Sequence, residues 1–227
     1  RLAQQRHPWV ILWDNHDVIR SDFPDSLGAT QAFWEWTPAR KPDSTDQNIV
    51  YRTYKHGDLM QLTIVDQLRF REGDSIPEPD REILGSVQND WFRGVLDTTT
   101  AIWKIHGNQK QMAGFQVPNI PFVDLQALTE GSWDGYDPAR DRLLNYITDN
   151  GIDNFVMLSG DIHMTLISDL AVDPNGTAYD GETGAGAAGV EFLPTSISRG
   201  NLDELLGSAA LAGTFESLSL GLNPNLL

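Results

Sequence analysis

The stretch NFVMLSGDIH, residues 154–163, constrains the fold of this chain more than any other. Its first six residues are almost continuously apolar and too few for a helix, so they read as a central strand. The pattern then breaks at once. Gly160 lets the backbone turn, and Asp161 and His163 set a carboxylate and an imidazole at the strand's end. The same arrangement stands near the start, where the apolar run Trp9–Trp13 meets Asp14-Asn15-His16-Asp17. Further short strand-like runs are Leu59–Asp66, Ala101–His106, Thr165–Val172 and Val190–Leu193. Within Leu59–Asp66, Met60, Leu62 and Ile64 alternate with Gln61 and Thr63, which predicts one covered and one wetter face.

Two helices stand out between these runs. Leu84, Val87, Trp91 and Val95 recur at helical spacing. At 137–151, Asp137 reads as the cap, Pro138 as the first helical residue and Gly151 as the stop, with Leu143 and Ile147 facing inward. Pro38–Gln47 and Glu72–Arg81 read as surface loops, and the Gly- and Ala-rich Gly181–Gly189 as a mobile loop. DPNG at 173–176 reads as a turn rather than a calcium loop. Strands alternating with helices, with no repeat and no dividing linker in 227 residues, predict one domain of the α/β or α+β class.

Composition removes several functions. A formal charge of −16 opposes binding to nucleic acid or an anionic membrane surface. With no cysteine there is neither a disulfide nor a thiolate ligand within this sequence. No apolar run reaches the length of a membrane span, and no signal peptide is visible. The sequence opens on Arg1 and enters an apolar run almost immediately, which predicts that polypeptide precedes it.

Chemistry concentrates where the strands stop. In a still-extended chain Asp161 and His163 point to the same side, a donor pair suited to a hard-to-borderline metal. The plainer reading is a solvated turn, or an imidazole satisfied by a backbone carbonyl. Asn15 can offer a metal its carbonyl oxygen, and His16 can bind metal or act as an acid. Asp14 and Asp17 can be ligands, can orient the imidazole, or can cap the next turn. Two such clusters, each ending an apolar run, reinforce one another. Asn108, just past Ala101–His106, is a further contributor. His7 and His56, beside Arg6 and Lys55, read as surface residues. The sequence lacks GxSxG, a P-loop and GxGxxG, although a dispersed Ser-His-Asp triad is compatible with it.

The ordered set of these blocks resembles a known family. WDNHDV at 13–18 resembles the W-D-D-H-E-V stretch of PhoD-like alkaline phosphatases and phosphodiesterases, and the G-N-H-E/D block of calcineurin-like metallophosphoesterases. VDQLRFR at 65–71 resembles V/L-D-T-R-x-Y-R, ILGSVQNDWF at 83–92 resembles L-G-x-x-Q-x-x-W-L, and IWKIHGNQ at 102–109 resembles W-K-V-x-G-N-Q. SWDGY at 132–136 with the following RDRLL, LSGDIH at 158–163 and VEFLPTSIS at 190–198 complete the series.

The resemblance implies the metallophosphoesterase fold: an α/β two-sheet β-sandwich flanked by helices in four αββα layers, incomplete here. Residues 1–227 would then be the C-terminal portion of a single catalytic domain. It implies hydrolysis of phosphate monoesters or diesters by a metal-activated hydroxide, with Asn15, Asp161 and His163 as metal ligands and His16 as the catalytic residue. Asp14, Asp17, Asn108 and Asp134 would support the ligands or touch substrate. The implied metals are calcium and iron, with zinc, manganese or magnesium as alternatives, and the implied location is periplasmic or secreted. The family's first ligands lie upstream of its W-D-D-H-E-V block, so the upstream half of the domain, from the same gene product or another chain, is the implied partner.

Three departures stand beside this. Asn15 replaces the commoner Asp, Leu68 stands where an Arg is usual, and Asn225 replaces the His of N-P-H. Asn15 equals the Asn of the broader family, so its ligand role survives; Leu68, Asn225 and the missing upstream ligands favour the alternative that the chain is a non-catalytic fragment or interaction module keeping the fold. The retained Asn15, His16, Asp161 and His163 speak against it.

Overall fold

The computed structural model describes residues 5–15, 17, 27–42, 46, 48–73, 75–120, 129, 131–197 and 199–227. The expectation for His16 therefore falls outside the described residues.

Six strands form one mixed sheet in the order β1-β2-β3-β4-β6-β5. They are β1 (Arg52–His56), β2 (Met60–Ile64), β3 (Trp103–Gly107), β4 (Phe155–Leu158), β5 (Leu166–Asp169) and β6 (Val190–Leu193). The inner strands β2, β3, β4 and β6 run parallel, and β1 and β5 pair antiparallel at the two edges. The helices are α1 (Leu27–Trp36), α2 (Ser86–Thr98), α3 (Asp137–Asp149), α4 (Leu202–Leu205) and α5 (Ala209–Leu222). The α/β class is thus as expected, and NFVMLS does supply a central strand, β4, between β3 and β6. The described residues contain this one sheet.

The two sheet faces differ. On one, Phe155 and Met157 join Phe92 and Leu96 of α2 and Leu143, Leu144 and Ile147 of α3 in the main core. The other carries Trp103, Leu158, Ile167 and Phe192, all exposed although apolar, beside half-buried Met60, Leu62, Ile105 and Val156. The alternation expected of β2 is present, but the helices lie over Gln61 and Thr63, and the apolar side is only partly covered among the described residues, with Ile64 buried and Met60 and Leu62 half-buried. Burial of Gln61 is tolerable because its side-chain oxygen accepts the Thr99 hydroxyl at 2.7 Å.

Several local expectations need correction. Trp9–Trp13 is not a strand: it finds no ladder among the described residues, and the Ile11 carbonyl instead accepts an Arg52 guanidinium at 2.6 Å. Trp13 nonetheless is buried, edge-on to Phe33. In α2 the inner face is Gln88, Asn89, Phe92 and Leu96, while Val87 is exposed. Leu84 precedes the helix, and Gln88 takes the inner face because its amide pairs with the backbone of Asp66. Asp137 lies inside α3 rather than capping it and pairs with Arg140 at 2.9 Å. Leu143 and Ile147 face inward as expected, and Gly151 ends the helix region at φ 61°. DPNG is a turn, with the Gly176 amide donating to the Asp173 carbonyl at 3.1 Å. None of the helices among the described residues is long and apolar enough to cross a membrane.

Candidate functional site

Parallel strands present their carboxyl ends together, and ligands in such sheets bind beyond those ends. Here β2 leads to Asp66, β3 to Asn108-Gln109-Lys110 and β4 to Ser159-Gly160-Asp161. The ladder continues past the strands. The Asn108 amide donates to the Leu158 carbonyl at 3.0 Å, and the Gly160 amide to the Gln109 carbonyl at 3.1 Å. The site is therefore an extension of the sheet.

Asp66 is fully buried and gathers three segments. One carboxylate oxygen accepts the Trp13 indole N–H at 2.9 Å; the other accepts the Gln109 amide at 2.9 Å and the backbone of Leu68 at 3.1 Å. Burial pushes this carboxyl above the usual range, opposed by the amides that donate to it. Through Trp13, Asp66 anchors the 14–17 block to the strand ends. In that block the Asp17 carboxylate accepts the Asp14 amide at 2.9 Å, and Asp14 accepts the Asn15 amide at 2.7 Å. Asp17 thus caps the turn, one of the roles open to it from sequence.

Of the 14–17 block, Asp14 lies within electrostatic reach of the β4 end. Burial pushes Asp14 up to about 6, the Asn15 amide opposes this, and then the Asp161 carboxylate raises it while Lys110 lowers it. Asp161 itself receives the Lys110 ammonium at 2.8 Å. The expectation that Asp161 and His163 share an extended backbone is wrong. The chain bends here, with the Ile162 amide donating to the Gly160 carbonyl at 3.1 Å. Asp161 and His163 take φ of 79° and 62°, a region side-chain-bearing residues rarely occupy. Strain of this kind costs about 1–3 kcal/mol per residue and clusters at functional sites. Past the bend, His163 lines a cavity of about 500 Å³ with Met164, Leu166, Thr195, Asn201 and Phe215.

Asn108 is buried behind Lys110. Its amide donates to the Lys110 carbonyl and, at 3.3 Å, to the Ser159 hydroxyl, while its own carbonyl oxygen meets no partner among the described residues. Asp134 lies elsewhere on the surface of the core. It pairs with Arg140 at 2.6 Å, lines a cavity of about 340 Å³ with Asn175 and Asn225, and is pushed up to about 6 by burial against the pull of Arg140. Leu68 is buried, and Asn225 is tied through its amide to the Gly114 carbonyl at 3.2 Å.

Sequence reasoning missed Lys110, Ser159 and Glu191. Glu191, from β6, is fully buried; its two oxygens accept the Met112 and Ala113 amides at 2.7 and 2.8 Å, and the first also accepts the Ser159 hydroxyl. It thereby fixes the loop that carries Asn108 and Lys110. A carboxylate at position two of an otherwise apolar VEFL run was the available signal.

Carboxylate, amide and imidazole oxygen and nitrogen donors fit a hard or borderline cation in kind. Asp14 and Asp161, both half-buried, place two carboxylates near one ammonium, that of Lys110, a balance that leaves room for a further cation. Among the described residues, however, no three His, Asp or Glu side chains surround a common point.

The comparisons agree with this architecture. The family model of PhoD-like phosphatases matches residues 1–226, so the chain belongs to that family. It is similar to alkaline phosphatase D of Bacillus subtilis (strain 168), 28% identical over 230 residues, which covers 88% of this chain and 37% of the relative. A solved structure described as the structure of PhoD superposes with a TM-score of 0.74 at 25% identity, covering 97% of this chain and 44% of that one. The chain thus spans less than half the length of either.

Proposed function

We propose that this chain is the later part of a catalytic domain that hydrolyses phosphate esters, monoesters or diesters, with metal ions. The observation that supports the reading is that Asp14, in the 14–17 block, lies within electrostatic reach of Asp161 and Lys110, which pair with each other at 2.8 Å beyond the carboxyl ends of β4 and β3. Family membership points the same way.

In this reading Asn15, Asp161 and His163 hold the metals, calcium and iron in the first instance, with zinc, manganese or magnesium as substitutes. Bound there, the metals would neutralise phosphoryl oxygens and acidify a water molecule near neutral pH. His16 donates a proton to the leaving oxygen, a role typically worth about 10²–10⁴ in rate. Asp17 accepts the Asp14 amide, Asn108 braces Lys110, and Asp14 supplies negative charge within reach of Asp161. Asp134, paired with Arg140, takes part at most through the loop at Phe115, whose amide it accepts at 3.4 Å. The remaining ligands come from the upstream half of the domain. A second sheet from that half, completing the sandwich, would cover the open apolar face. Periplasmic or secreted placement follows the family resemblance, and the charge of −16 suits neither nucleic acid nor an anionic membrane.

The test uses the complete gene product that contains this chain. Aryl phosphate hydrolysis is measured before and after exhaustive chelation, and again after metal return. Loss and recovery are expected; full activity in the metal-free protein overturns the reading. His16→Ala should lower kcat by two orders of magnitude or more, and unchanged turnover removes only the proton-donor role. The second reading, a non-catalytic module, draws on buried Leu68 and on the Lys110–Asp161 pair; a chain that binds no metal and turns over no ester would establish it.

A further inference from the structure

Lys110 is an unusual neighbour for a ligand. Its side chain is 7% exposed and its ammonium lies 2.8 Å from Asp161 Oδ2. The core beneath is apolar, and the buried carboxylates Asp66 and Glu191 already have other donors. The loop, moreover, is built to keep the lysine in place. Asn108 holds its carbonyl, Glu191 holds the two amides that follow Gln111, and the Gln109 carbonyl is bound to Gly160. An ammonium has three N–H donors, and one is used on Asp161. Among the described residues no other acceptor meets Lys110.

We infer that Lys110 is a permanent cation of the site, standing at Asp161 where a further metal ion would otherwise bind, with its remaining N–H donors directed to the substrate's phosphoryl oxygens. The inference rests on the metal-dependent reading above. Its physical basis is charge. Asp14 and Asp161 together call for positive charge, and an ammonium tethered to the chain delivers it with a smaller dehydration cost than a free divalent ion, met as the chain folds. A lysine is a compact point charge, so it can serve both carboxylate and phosphoryl oxygen. The consequence is a site that binds one metal ion fewer than its carboxylates could support.

The experiment counts metals. The complete gene product, its Lys110→Met variant and its Lys110→Arg variant are stripped, loaded with excess calcium plus iron, freed of unbound ions by gel filtration and analysed by elemental mass spectrometry. Lys110→Met should bind one more equivalent than the parent, and Lys110→Arg should match the parent. Aryl phosphate KM should rise at least tenfold in Lys110→Met at limiting metal and recover as metal is added. An equal count in parent and Lys110→Met overturns the inference while leaving the metal reading intact. No metal in either overturns both. Lys110→Gln, which keeps a hydrogen bond to Asp161 without the charge, replaces Lys110→Met if the latter does not fold; a count equal to the parent's again overturns the inference.

Discussion

His106 shows how far one side chain can depart from the role its type suggests. A histidine at the end of a strand beside a candidate site invites a metal-binding assignment. In the fold it is fully buried, stacked on Phe155 at 4.5 Å and edge-on to Phe92 at 4.9 Å, and neither ring nitrogen has a partner among the described residues. Burial pushes it down to about 3, so it stays neutral when folded. The folded value lies below the unfolded value of about 6.5, so its stabilising effect is whole above pH 6.5 and is lost as pH falls toward 3. Asp134, raised to about 6, acts in the opposite sense, favouring the fold as pH falls from 6 toward 3.8. His106→Phe should therefore flatten the acid side of a urea-unfolding profile measured between pH 6.5 and 4. The slope removed should be on the order of 1 kcal/mol per pH unit; an unchanged profile would show that His106 does not resist protonation. At this scale the sequence was legible where position follows from a strand's end, as in the placing of Asp161 just past β4. It was opaque where meaning depends on a distant partner. Lys110 is one basic residue in a polar run until Asp161, 51 positions away, is placed beside it.

The strand ends were legible as elements because apolar runs stop abruptly at polar residues, and β2, β3, β4 and β6 lie within a residue or two of their expected places. Others were hidden. β1, RTYKH, carries no apolar alternation and exists because β2 offers it an edge through the turn at Gly57. The helix α5 is Ala-, Ser- and Leu-rich without a clear stripe; it is set by Ser208, whose hydroxyl caps the Leu211 amide at 3.3 Å, and by Phe215 packing on Phe115. At the centre of this scale stands Glu191, which joins β6 to the 108–113 loop and to Ser159 on the β4 end. Glu191→Gln keeps the shape but turns an N–H group toward donors. Leaving such a buried donor unmatched costs about 1–3 kcal/mol. The expected result is a lower thermal midpoint together with a fall in kcat, at 20 °C, larger than the unfolded fraction explains. Catalysis that tracks only the folded fraction would confine Glu191 to stability.

Across the whole molecule the two sheet faces have unequal surroundings, and this was legible only in part. The alternation in β2 predicted two kinds of face, but only the fold shows that the helices lie on the side of Gln61 and Thr63. An apolar surface contributed by Trp103, Leu158, Ile167 and Phe192 is larger than isolated surface hydrophobics require. Expressed as residues 1–227 alone, the chain should bind a hydrophobic dye strongly or self-associate in sedimentation, and the complete gene product should do neither. Equal dye binding by the two would show that nothing in the complete protein covers this face. The continuation of the ladder beyond β3 and β4 has its own result for recognition. With the amides of Asn108 and Gly160 bonded like those of interior strand residues, the groups beside them are already aligned when a ligand arrives, so association need not first immobilise a floppy loop. Hydrogen exchange at these two positions should accordingly be as slow in the free protein as in the bound one.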